Sequence, residues 1–240
     1  MSVQSVIRPN QILVQDLLKK YHNRPVLNHL SITIEAGALC ILVGDNGVGK
    51  TTLLRILAGL IRPDGGHIHF GQFPAGTETF LRRLIGYVGH QPMLYQDLTA
   101  AENLRHYARL YQISKKEKRV DDAIRSIGLE KSQYQIVRTF SRGMQQRLSI
   151  ARALLHDPEI LLFDEPYTGL DNDAACFLDQ RLVELHRSGK TIFLAAHQPH
   201  RILSLASHLA WLKEGIIFEH IPVQNLKGHP GLAAYLQEAS

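Results

Sequence analysis

Eight consecutive residues, Gly44-Asp45-Asn46-Gly47-Val48-Gly49-Lys50-Thr51, fit the pattern G-x-x-x-x-G-K-[ST]. Glycines so spaced let successive main-chain N–H groups turn inward and surround the oxygens of a phosphate. The segment follows an apolar run and opens an amphipathic stretch carrying Leu53, Leu54, Ile56 and Leu57. A helix that begins there adds the positive potential of its N-terminus at the same point. Lys50 then reaches the terminal phosphates of a nucleotide, and the Thr51 hydroxyl holds Mg²⁺. Thr52, one place on, completes the candidate phosphate site.

Further along, Asp164 and Glu165 emerge together from the apolar run Ile160-Leu161-Leu162-Phe163. Asp164 offers the hard oxygen that a Mg²⁺ ion or its water takes. Glu165 suits a general base, or an orienter, for an attacking water. His197 closes a third apolar run, Thr191 to Ala196, although a lone histidine in a chain is more often structural. Phe140-Ser141-Arg142-Gly143-Met144-Gln145-Gln146-Arg147 opens another helix, with Ser141 as its cap and Met144, Leu148, Ala151 and Leu155 as its apolar stripe. The free N–H groups at Ser141 to Gly143 form a second phosphate-binding end; taken alone, the segment has an ordinary capped helix as its lesser alternative.

These groups must be brought together by a sheet. Leu39 to Val43, Ile160 to Phe163 and Thr191 to Ala196 are short and apolar throughout, the pattern of parallel strands buried on both faces. Each ends on a polar residue of useful chemistry, and in open α/β sheets ligands gather at the carboxyl ends of strands. The span Thr99 to Leu155 is patterned for helices. Leu98-Thr99-Ala100-Ala101-Glu102 reads as a capped start, and Lys116 to Ile127 as a helix that stops at Gly128. Arg62-Pro63-Asp64-Gly65-Gly66 is a turn into a strand from His67 to Phe70. A hairpin is expected at Glu214-Gly215 and a short helix after Pro230.

Composition narrows the class. The 240 residues are 45% hydrophobic and 20% charged, as in an ordinary globular protein, with no apolar stretch long enough to span a membrane. Met1 to Gln15 lacks the basic and apolar regions of a secretory signal, so none is expected. Two cysteines, Cys40 and Cys176, argue for reduced thiols rather than a disulfide framework. The net charge of +5 is scattered, and the one basic cluster, Lys115, Lys116, Lys118 and Arg119, reads as a solvated helix face, so no nucleic-acid partner is expected. His67-x-His69 lacks a third ligand nearby and reads as an exposed strand rather than a metal site.

Together, the phosphate loop, the Ser141 segment and the acidic strand resemble the ABC ATPase family over essentially the whole chain. Phe140 to Gln145 is similar to the family's Leu-Ser-Gly-Gly-Gln signature, matching at Ser141 and Gly143 and departing at Arg142 and Met144. The resemblance implies an α/β P-loop NTPase with a mixed β-sheet core, one ATPase domain over residues 1–240 and a helical sub-domain at about 93–155. It implies ATP and Mg²⁺ as ligands and an ATP-dependent head-to-tail homodimer, in which Ser141 and Gly143 serve the other copy's ATP. Tyr21 matches the aromatic that stacks on adenine, Asp171 the residue that touches the opposite subunit, and His197 the histidine at the γ-phosphate. Where the family reads Tyr-Val-Pro-Gln, this chain reads Tyr87-Val88-Gly89-His90-Gln91-Pro92, so either His90 or Gln91 senses Mg²⁺ and the attacking water.

The same resemblance implies integral membrane permease subunits as partners and a peripheral place on the cytoplasmic face of the inner membrane. Met93, Leu94 and Tyr95 would form the apolar docking surface. Soluble ABC proteins of translation or repair carry two such units or a long coiled coil, neither seen here. A GTPase reading lacks Asn-Lys-x-Asp for guanine. Gly89-His90-Gln91-Pro92 and a second His-Gln-Pro at His197-Gln198-Pro199 are similar to the ATPase of bacterial haem exporters for cytochrome c maturation. Ser141-Arg142-Gly143-Met144 is similar instead to ATPases of drug and lipid exporters, the alternative cargo reading.

Overall fold

The computed structural model describes residues 10–75, 83–197 and 199–238. The leader reading of Met1 to Gln15 lies in part outside these residues, and so does Gln198 of the second His-Gln-Pro. The chain opens with a long hairpin, β1 (Ile12–Tyr21) and β2 (Arg24–Ile34). There follow β3 (Leu39–Val43), α1 (Lys50–Leu57), β4 (Gly65–Phe70), β5 (Phe73–Pro74) and β6 (Ile85–Val88). Three helices come next: α2 (Ala100–Leu110), α3 (Lys116–Ser126) and α4 (Arg142–Leu154). The rest is β7 (Ile160–Asp164), α5 (Asn172–Arg187), β8 (Thr191–Ala195), α6 (His200–Leu203), β9 (His208–Lys213), β10 (Ile216–Pro222) and α7 (Pro230–Glu238).

The strands form two sheets, an antiparallel one ordered β2-β1-β4-β5 and a mixed one ordered β10-β9-β3-β8-β7-β6. In the second, every pair from β9 to β6 is parallel, and only the β9–β10 hairpin at Glu214-Gly215 is antiparallel. The three apolar runs are its centre, and the pleat explains their composition. Cys40 and Leu42 of β3 face the first sheet and α1, while Leu39, Ile41 and Val43 face α5 and α7. With both faces covered, no position on β3, β7 or β8 is left for a polar residue except at the strand ends. β4 starts two residues before the expected strand, at Gly65, because Gly65 already pairs with Leu18 of β1.

Helices α2, α3 and α4 gather around a hydrophobic cluster of their own, which includes Leu104, Val120, Ile124, Phe140 and Leu148. Thr99 caps α2 as expected: its hydroxyl accepts from the Glu102 N–H, and the Glu102 carboxylate accepts from the Thr99 N–H at 2.9 Å. Caps of this kind contribute about 1 kcal/mol. Thr99→Ala is therefore expected to lower folding stability by about that amount, read as a fall in the denaturant midpoint at unchanged slope.

Candidate active site

β3 delivers the phosphate loop and α1 receives it, and the turn between them needs backbone that side chains rarely permit. Gly44 has φ 154°, and a Cβ on it would stand 2.4 Å from the Leu212 carbonyl oxygen of β9. Gly49 has φ 118° and faces Val26 and Leu27 of β2 at 2.9–3.2 Å. Lys50 is buried, and its ammonium folds back over the loop, donating to the Gly44 carbonyl at 2.7 Å and the Asp45 carbonyl at 3.0 Å. Burial pushes its pKa down, and the negative charges of Glu165, Asp45 and Asp164 push it back up.

Thr51, on the first turn of α1, meets the end of β7. Its hydroxyl donates to Asp164 Oδ1 at 2.8 Å, joining two segments far apart in sequence. Asp164 is fully buried, and the Tyr87 hydroxyl from β6 donates to its Oδ2 at 3.2 Å. Burial raises the Asp164 pKa, against the lowering effect of those two hydrogen bonds. Tyr87 itself is pushed up to about 12, first by burial and then by the Asp164 charge, so it remains a donor. A hydroxyl and a buried carboxylate form a hard-oxygen donor set, and that fits Mg²⁺. Among the described residues no cluster of three or more His, Cys, Asp and Glu side chains forms a metal site made by protein alone. Tyr87 was not among the residues marked by sequence reasoning, since nothing local shows that its hydroxyl reaches β7.

Glu165 follows β7 with φ 52°, a left-handed conformation that costs a non-glycine residue energy. Its N–H donates to the Ala195 carbonyl at 3.0 Å, which ties it to the neighbouring strand β8. The side chain stands in the wall between two clefts. One, of about 840 Å³, is also lined by Tyr167 to Leu170, His197 and His200. The other, of about 400 Å³, is lined by His90, Gln91, Arg142 and Gln146. His90 and Gln91 thus share one cleft with Glu165, and both alternatives stay open. His197 is exposed beyond β8, and its Nε2 lies 3.2 Å from the Asn46 side-chain amide, which connects it to the phosphate loop.

The remaining marked residues are more peripheral. Ser141 caps α4, with its hydroxyl accepting from the Met144 N–H at 3.3 Å, and Gly143 packs toward Ala174 of α5. Arg142, the departure from the signature, lies against Gly169 in the loop after β7. Asp171 caps α5 through the Ala174 N–H. Tyr21 ends β1, 42% exposed, with the Lys19 ammonium 5.5 Å above its ring. Met93 and Tyr95 are exposed, but Leu94 is half-buried against the α2–α4 cluster and adds less to the expected docking patch.

The model of the ABC transporter family matches residues 27–168, more than half of the chain and inclusive of the phosphate loop, the Ser141 segment and the acidic strand. The chain belongs to this family. Among its relatives, the bacitracin transport ATP-binding protein BcrA of Bacillus licheniformis is 39% identical over 219 residues, 90% of this chain and 71% of that protein. The SkfA peptide export ATP-binding protein SkfE of Bacillus subtilis (strain 168) is 34% identical over 212 residues, 88% of each chain. A solved ATP-binding subunit of an ABC transporter superposes with a TM-score of 0.85 at 28% identity, covering 95% of this chain and 98% of that one. A dimeric ATP-binding cassette in a post-hydrolysis state with ADP and Pi gives 0.79 at 26% identity, covering 88% and 98%. The protein is thus the ATP-binding subunit of an ABC transporter, with the P-loop fold of that family and its ATPase activity. Among the described residues no helix is long and apolar enough to cross a membrane.

Proposed function

We propose that this ABC ATPase hydrolyses MgATP at the β3–α1 loop and that it powers export of a peptide antibiotic or a related drug. The observation that carries the catalytic reading is the Thr51–Asp164 hydrogen bond at 2.8 Å, which places the phosphate loop and the acidic strand in one site beside Glu165. Gly44 to Thr52 cradle the phosphates, and Lys50 supplies the charge that the terminal phosphates meet. Thr51 and Asp164 would hold Mg²⁺, with His90 or Gln91 facing it from the neighbouring cleft. When bound, Mg²⁺ supplies charge neutralisation to the transferring phosphoryl group. Glu165 takes the proton of the attacking water, and His197, held beside Asn46, faces the γ-phosphate.

Each active dimer pairs two such chains head-to-tail, so that Ser141, Gly143 and the N-terminus of α4 close on the partner's ATP. The dimeric neighbour bound to ADP and Pi supports this reading. Residues 1–240 act as one ATPase unit with residues 93–155 as its helical part. It lies peripherally at the cytoplasmic face of the inner membrane, where Met93 and Tyr95 meet the membrane permease subunits.

The relatives support one cargo reading over the other. BcrA and SkfE are named for bacitracin transport and peptide export, which supports the drug-exporter alternative. The relatives named above do not support haem export, whose sequence basis is the two His-Gln-Pro triplets. A deletion strain is expected to become several-fold more sensitive to bacitracin or another peptide antibiotic, with c-type cytochromes intact in haem-stained gels. Loss of c-type cytochromes at unchanged antibiotic sensitivity would overturn the drug reading in favour of haem.

A further inference from the structure

A left-handed backbone such as that of Glu165 persists only where its surroundings over-determine it. Main-chain bonds supply part of that constraint: the Glu165 N–H is tied to β8, and the Thr168 N–H donates to the Glu165 carbonyl at 3.2 Å. The second bond closes a turn from Glu165 to Thr168, and Tyr167 lies inside it. The Tyr167 side chain packs against the cluster that includes Leu178 of α5 and Ile202 of α6. Its hydroxyl donates to Asp179 Oδ1, on α5, at 2.6 Å, a short bond of the charge-assisted kind. The other carboxylate oxygen, Oδ2, accepts from Arg201 Nε, on α6, at 2.8 Å. Arg201 stands four residues past His197. One carboxylate thus anchors both the loop that carries Glu165 and the segment that follows His197. Burial, and then the bond to Asp179 and its charge, raise the Tyr167 pKa, so the hydroxyl stays a donor.

We propose that Tyr167 is a positioning residue for hydrolysis, acting through the Asp179 anchor to hold Glu165 where it meets the attacking water. The Tyr167 hydroxyl pins the side of the turn that the main-chain bonds leave free, and so keeps the strained residue from relaxing. Arg201 fixes the orientation of the carboxylate that receives it. This role rests on Glu165 being the base, and Glu165→Gln measured alongside separates failure of that reading from failure of the role given to Tyr167.

The experiment is steady-state ATP hydrolysis by the full chain, with MgATP affinity measured in parallel. Tyr167→Phe, which keeps the ring in the core and deletes the hydroxyl, is expected to lower kcat about tenfold, with KM and affinity changed less than about twofold. In the Glu165→Gln background the same substitution should change the residual rate less than about twofold, because no base remains to be misplaced. Loosened packing would instead lower the rate in both backgrounds alike. Asp179→Ala removes the acceptor and should lower kcat at least as far as Tyr167→Phe. Adding Tyr167→Phe to it should then cost less than about a further twofold. Wild-type kcat in Tyr167→Phe, an equal fall in the Glu165→Gln background, or additive losses in the double variant would each overturn the role of Tyr167. Normal turnover by Glu165→Gln would overturn the base reading beneath it.

Discussion

Replacing Glu165 by Gln is expected to slow ATP hydrolysis by at least about a hundredfold while leaving ATP affinity little changed. Glutamine keeps the shape of the side chain and its place in the wall between the two clefts, but it cannot take a proton from water. The main-chain contacts that hold the position, Glu165 N–H to Ala195 and Thr168 N–H to the Glu165 carbonyl, do not involve the carboxylate, so the fold should persist. Lys50, Thr51 and Asp164 remain to bind the nucleotide. A chain that binds ATP and cannot consume it should accumulate as an ATP-bound dimer, because in the proposed head-to-tail pairing two filled phosphate sites would still bridge the copies. Phosphate release and light scattering with and without ATP read both effects. Normal turnover would remove Glu165 from the role of base, and a monomer at high concentration with ATP bound would count against the head-to-tail pairing.

The second large effect is expected at Lys50. Lys50→Ala should reduce MgATP affinity by about a hundredfold or more, read by calorimetric titration, because it removes the cation folded over the cradle. The loss should fall on binding rather than on folding. Burial already disfavours the Lys50 charge, so the folded state gives up little when the ammonium is removed. Unchanged affinity in a folded variant would defeat the assignment of the loop.

Much of this site is legible in the chain because its parts are local. The phosphate loop is one contiguous segment. β3, β7 and β8 are apolar throughout because both faces of the sheet are covered, and a polar residue at the end of each is correspondingly conspicuous. The capping box at Thr99 and the two-residue hairpin at Glu214-Gly215 are equally short in range. β1 and β2 are hidden for a physical reason. Their register shifts between Val14 and Leu17, where Asp16 takes φ 54°, and the extra residue breaks the alternation by which a half-buried strand is recognised. β6 is only four residues long and includes a glycine. The contact of Tyr87 with Asp164 depends on how β6 and β7 are ordered in space, and no window of sequence contains both partners.

The left-handed backbone at Glu165 has a genetic corollary. At most positions glycine weakens a fold, by roughly 0.5–1 kcal/mol. Here it would also relieve a conformation that costs other residues about 1–2 kcal/mol, so the relief matches or outweighs the loss. A Glu165→Gly chain would therefore be abundant, loaded with nucleotide and idle. Assembled with normal copies it would occupy half of a paired engine and stall it, so a single such allele would be expected to act dominantly, where an unfolded null allele would be recessive.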